Sequence, residues 1–179
     1  LFKNCSYMLV IHPLDKSTDF LCEIYKNIDC EVITNGRCSK SLLRTKIRQH
    51  DKIVFLGHGT EEGLLRTPID GSLLISSHFV DFLRGKECVY VWCNADQFVK
   101  KYGLSGLATG MIISEADEAV MCSVSFTAED LLQSNVNFSK AIAPNILKSK
   151  DVILKEFIKN YPVAHNNIAQ FNRCNVFAF

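Results

Sequence analysis

The chain has 179 residues, a length that predicts one domain spanning 1–179. Hydrophobic residues make up 47% and charged residues 22%, enough apolar material for a full core and too ordinary a balance for a disordered chain. Twenty Lys and Arg against 19 Asp and Glu leave a formal charge of +1, which argues against a surface built to grip a phosphate backbone, so no nucleic-acid partner is expected. No run approaches the roughly 18 apolar residues of a membrane-spanning helix, so no membrane partner is expected either.

In chain order, 7–11 (YMLVI) reads as a fully buried strand, too short for a signal-peptide core. Segment 17–27 carries Phe20, Leu21, Ile24 and Tyr25 at helical spacing, with Ser17 or Thr18 as its cap. A second strand is read at 30–34, and Asn35-Gly36 then breaks the chain. Leu42, Leu43 and Ile47 mark a helix over 39–49. A third strand, apolar on both faces, covers 52–57. A glycine-rich turn follows at 58–63, with a short hairpin around 68–71. A helix at 76–84, a fourth buried strand at 88–92, a helix at 95–102 and a fifth strand at 108–114 come next. The remainder predicts one or two helical pieces over 114–132, helices at 138–147 and 151–160, and a last strand at 175–179. Continuous apolar strands separated by helices indicate a mostly parallel sheet covered on both faces, a three-layer α/β/α sandwich.

None of the eight cysteines forms a C-x-x-C pair, and no Cys/His cluster has zinc-finger spacing. Most are expected to be reduced and buried, which points to a cytoplasmic setting.

Open parallel sheets place their sites at the carboxyl ends of the strands. That rule singles out His12, His58, Cys93 and Glu115, the residues just after the first, third, fourth and fifth apolar runs. If the third and fourth strands are neighbours, His58 and Cys93 meet, and an imidazole beside a thiol favours the attacking thiolate. Gly59 has no side chain, so its N–H can approach a substrate carbonyl; with the N–H of Cys93 it offers an oxyanion hole, in which one donor is worth about 3–4 kcal/mol. His12 is read either as a substrate contact or as a turn residue before Pro13. The acids Glu115, Asp117 and Glu118 are read either as a specificity pocket or as the acidic first turn of a helix, where the macrodipole favours carboxylates. Trp92, preceding the nucleophile, is expected to turn into the core, because strand side chains alternate.

The runs Ile53-Val54-Phe55-Leu56-Gly57-His58-Gly59 and Val89-Tyr90-Val91-Trp92-Cys93-Asn94-Ala95 resemble the catalytic blocks of the caspase-like cysteine peptidases, the clan of caspases, gingipains and CHAT domains. The resemblance implies a caspase/hemoglobinase-like sheet, His58 as general acid/base, Cys93 as nucleophile and Gly59 as oxyanion donor. It implies a protein or peptide substrate cleaved through a thioester. That chemistry needs no metal or organic cofactor, although some members of the clan require calcium or an activating ligand. Members selective for basic side chains place an Asp two residues before the nucleophile, where this chain has Val91. The competing reading is an inactive relative that binds a peptide or partner on the same fold. A nucleotide-binding reading finds neither G-x-G-x-x-G nor a P-loop after the first strand.

Overall fold

The computed structural model describes residues 8–179; Cys5 and Tyr7, the latter read as the start of the first strand, lie outside the described residues. Six strands form the main sheet: β1 (Met8–Ile11), β2 (Glu31–Ile33), β3 (Lys52–Leu56), β7 (Glu87–Val91), β8 (Gly106–Thr109) and β9 (Val176–Ala178). Their spatial order is β2-β1-β3-β7-β8-β9. The first five run parallel, and β9 closes the edge antiparallel to β8. Between β3 and β7 sits a separate antiparallel sheet of β4 (Gly59–Thr60), β5 (Gly63–Leu65) and β6 (Leu73–Ile75).

The central strands bury both faces, and alternation sorts their side chains into two cores. Leu9, Ile11, Ile53, Phe55, Tyr90 and Trp92 pack against α1 (Lys40–Gln49), α2 (Val80–Leu83) and α3 (Ala95–Tyr102). On the other face Met8, Val10, Val54, Leu56, Val89 and Val91 pack against a 3-10 helix (Lys16–Ile24), α5 (Ala128–Ile142), α6 (Lys150–Asn160) and α7 (Asn167–Arg173). The result is a mixed α/β fold around a mostly parallel sheet, with helices on both faces. It is compatible with a three-layer sandwich.

Local chemistry explains the element ends. Ser39 caps α1 by accepting from Leu42 N at 3.1 Å, and Leu43 and Ile47, four apart, face the core. Gly103 closes α3 in the left-handed region at φ 59°. Segment 17–27 is helical but wound as a 3-10 helix from Lys16 to Ile24. The strand expected at 108–114 instead ends at Thr109. Gly110 gives its N–H to Asn175 O and its carbonyl to Asn94 N, which turns the chain out of the ladder. The apolar run that follows is an anchored connection, with Ile113 N and O both bonded to the Asn172 amide at 2.8 Å. Helix α4 (Ala116–Met121) comes next. Helix α5 starts ten residues before the expected 138, and α7 has no counterpart among the expected elements.

Among the described residues no helix is long and apolar enough to cross a membrane. The expectation that most cysteines are buried is corrected: among the described residues only Cys38 and Cys88 are, while Cys22, Cys30, Cys93 and Cys122 are partly exposed and Cys174 is exposed. These five stand outside the strands: Cys22 in the 3-10 helix, Cys122 and Cys174 at helix ends, Cys30 and Cys93 beside strand ends.

Candidate active site

Strand β1 sends one crossover to β2 and lies against β3 on its other side. This is the switch point at which open α/β sheets form a crevice. The loop after β1, the turn after β3 and the turn after β7 meet there. Thr18, Phe20 and Leu21 come from the first, Gly57 and His58 from the second, and Trp92 and Cys93 from the third. With Ile112, Ser114, Glu118 and Phe138 they line one cavity of about 30 Å³, room for a water or two. The sequence-predicted pair, His58 and Cys93, therefore share a single cavity, since β3 and β7 are hydrogen-bonded neighbours in register.

His58 is held from behind by Ser17, which the sequence offered only as a helix cap, and by Asp15, which it did not single out. Ser17 Oγ lies 2.7 Å from His58 Nε2 and donates to Asp15 Oδ1 at 2.6 Å. Because that hydroxyl proton is spent on Asp15, Ser17 accepts from Nε2–H, and Asp15 Oδ1 itself lies 3.4 Å from Nε2. The network assigns the proton to Nε2 and leaves Nδ1 as the basic ring atom. The Ser17 hydroxyl, and after it the His58 ring, hold the Asp15 carboxyl below the usual carboxylate range. An Asp-x-Ser capping a helix start was the available signal: Asp15 Oδ1 also accepts Ser17 N at 3.1 Å.

Cys93 follows β7 on a sharp turn, with Asn94 in the left-handed region at φ 66° before α3 begins. Buried Thr109 locks the strand end by donating to Trp92 O at 2.7 Å and accepting from Trp92 N at 3.1 Å. The thiol aims its proton at Ile112 O, 3.6 Å away, and at Glu118 Oε1, 3.8 Å away. Burial first, and the Glu118 charge second, push it up to about 12. The expectation that the imidazole yields a ready thiolate is thus corrected for this arrangement: burial first, and the facing Glu118 carboxylate second, favour the protonated thiol.

Gly59 opens the small hairpin. Leu65 N donates to His58 O at 2.8 Å, which makes Gly59 and Leu64 a non-hydrogen-bonded pair. The Gly59 N–H therefore points away from β5, and Gly59 itself stands next to the cavity rather than in its lining. A Cβ at Gly59 would meet Trp92 Cδ1 at 2.1 Å and Gly63 O at 2.7 Å, so only glycine fits beneath the indole. Gly59→Ala is expected to cost about 1–3 kcal/mol by overpacking, read as a lower denaturant midpoint at unchanged slope.

For His12, Glu115 and Asp117 the substrate-contact reading gives way to the structural one stated beside it. His12 is no substrate contact. It is fully buried, with Nδ1 3.1 Å from Tyr25 OH and Nε2 3.3 Å from Thr18 Oγ1, because the loop after β1 folds over it. Glu115 is the exposed N-cap residue of α4, and Asp117 lies exposed in its first turn, both outside the cavity. With β8 ending early, it is Glu118 that reaches inward. Its Oε2 accepts from Ser114 N (2.7 Å), Ser114 Oγ (3.0 Å) and Glu115 N (3.0 Å). Trp92 does turn into the core.

No group of three or more His, Cys, Asp or Glu side chains among the described residues is placed to hold a metal ion. Comparison of the chain with protein-family models, with curated proteins and with solved structures found no match to any of them.

Proposed function

We propose that the chain is a caspase-like cysteine endopeptidase, with Cys93 as nucleophile, His58 as general acid/base and the Gly59 N–H as oxyanion donor. The observation that carries this reading is the shared cavity of His58 and Cys93 at the carboxyl ends of two adjacent parallel strands. A six-stranded, mostly parallel sheet with helices on both faces is also what the caspase/hemoglobinase-like resemblance leads one to expect. Fold alone does not choose a function, since the parallel strands also follow a doubly wound order used by nucleotide binders. The loop after β1, His12-Pro13-Leu14-Asp15, offers no glycine-rich phosphate cradle.

In the proposed reaction the Cys93 proton passes to His58 Nδ1 as sulfur attacks the scissile carbonyl. The new C–S bond gives a tetrahedral oxyanion facing Gly59 N–H. Collapse breaks the C–N bond, and His58 returns the proton to the leaving amine. Water, deprotonated by His58, then cleaves the thioester and releases the acid. Ser17 and Asp15 keep Nε2–H engaged, so Nδ1 stays free for both transfers.

Cys93→Ala and His58→Ala are each expected to abolish cleavage of a fluorogenic peptide library while leaving the thermal transition within a few degrees of the parent. Cleavage that survives in either folded variant rejects the mechanism. A second reading, a non-catalytic peptide-binding domain, is favoured by one observation, the Glu118 carboxylate 3.8 Å from the Cys93 sulfur, which opposes a thiolate. On that reading the parent cleaves nothing, and both alanine variants bind peptide as the parent does.

A further inference from the structure

Two properties of the site fit poorly with an enzyme at work. The cavity over Cys93, about 30 Å³, admits no peptide. The ionisable group that the thiol is hydrogen-bonded to is a carboxylate, whose charge opposes a thiolate.

We propose that Glu118 is a latch: helix α4 holds its carboxylate against Cys93 and keeps the site closed, and displacement of α4 opens it. The inference rests on the peptidase reading for its purpose, but its physical content stands on the thiol alone.

The attachment of the segment supports this division into fixed and movable parts. The approach to α4 is fixed: Asn172 of α7 brackets the Ile113 backbone, and Asn135 of α5 donates to Ser114 O at 2.9 Å. Helix α4 itself has six residues and buries one of them, Ala119, in a small satellite cluster with Ile113 and Ile168. Its Val120 and Met121 are each 70% exposed. Elements with so little buried apolar contact open at small free-energy cost. Apart from the Cys93 contact, the hydrogen bonds to the Glu118 carboxylate are local, from Ser114 and Glu115, so water can replace them when the helix swings out. Ile112 O stays with the anchored part. The Glu118 carboxylate, 3.8 Å from Sγ, lines the same small cavity that a scissile carbonyl has to enter.

Opening changes the charge around the sulfur in one direction. The titratable groups facing Cys93 are Glu118 and Cys122 from α4 and its end, and His58 across the cavity, with Asp15 behind it. Loss of Glu118 removes the second cause that holds the proton on Sγ, after burial, and leaves His58 as the facing partner across the cavity, so the thiol gives up its proton more readily.

The test is the rate of Cys93 alkylation by iodoacetamide against pH in the full chain, with each cysteine resolved by peptide mass. In the parent, Cys93 is expected to label at least tenfold more slowly at pH 7.5 than exposed Cys174. Glu118→Gln keeps the side-chain shape and is expected to lower the Cys93 inflection by a unit or more, a tenfold or greater gain at neutral pH. Ala119→Arg keeps Glu118 but undocks α4; it is expected to lower the inflection similarly and also to raise the plateau rate at high pH. An unchanged inflection in Glu118→Gln overturns the latch, as does an unchanged inflection in Ala119→Arg. Both inflections falling with no peptide cleaved by any variant leaves the latch standing and removes the peptidase reading instead.

Discussion

Trp92→Ala is expected to remove about 3–5 kcal/mol of stability, the cost of deleting a large buried aromatic side chain. The indole is 2% exposed and meets Phe55, Tyr90 and Phe98 edge-on at centroid distances of 6.2, 5.5 and 5.7 Å. Its Nε1–H donates to Thr60 O at 3.0 Å, and its ring covers Gly59. One side chain thus ties the hairpin that follows His58 to the strand end that carries Cys93. Against a total stability of about 5–15 kcal/mol the loss is severe, so Trp92→Phe is the companion variant. It keeps an aromatic ring and removes the Thr60 bond, for a further diagnostic loss of about 1 kcal/mol from that bond, besides the smaller ring. Guanidinium denaturation reads both. A cost below about 1 kcal/mol for the alanine variant contradicts the clamp.

Acid is expected to weaken the fold through His12. Burial lowers this imidazole from 6.5 to about 4, so the folded state excludes a proton that the unfolded chain accepts. Between those two values the unfolded state binds more protons, and stability falls as pH falls. The gap corresponds to about 3 kcal/mol, fully present above pH 6.5 and lost progressively as pH falls toward 4. The ring lies under the loop that carries Asp15 and Ser17: Thr18, which accepts from Nε2–H, gives its own hydroxyl proton to Asp15 O at 3.0 Å. His12→Gln is expected to flatten the stability profile between pH 4 and 6.5 in urea titrations. A parent profile level across that window contradicts the assignment.

Much of this architecture is legible in the sequence because β1, β3 and β7 are unbroken apolar runs, and a strand buried on both faces leaves that mark. His58 and Cys93 are legible for the same reason, each standing where such a run stops. The site's supporting residues are not. Asp15 and Ser17 look like an ordinary helix cap, which they also are, and only the switch point brings them behind His58. The choice among Glu115, Asp117 and Glu118 depends on where β8 ends. That is decided by Gly110 bonding to Asn94 and Asn175, a pairing no local pattern announces. Helix α7 escapes because its inner face carries Asn172, whose amide serves Ile113, so the apolar period is interrupted. Periodicity likewise finds the helix after β1 but cannot tell 3-10 from α winding.

The chain contains a single tryptophan, and it stands one residue before the sulfur. Its emission therefore reports on one place only. Any rearrangement that lifts the hairpin off the indole, or lets water into the cavity it borders, will register as a red shift and a change in quenching, without a label and in the intact protein. The packing that seats His58 and Cys93 also gives the candidate site its own optical gauge, readable in real time as peptides are added.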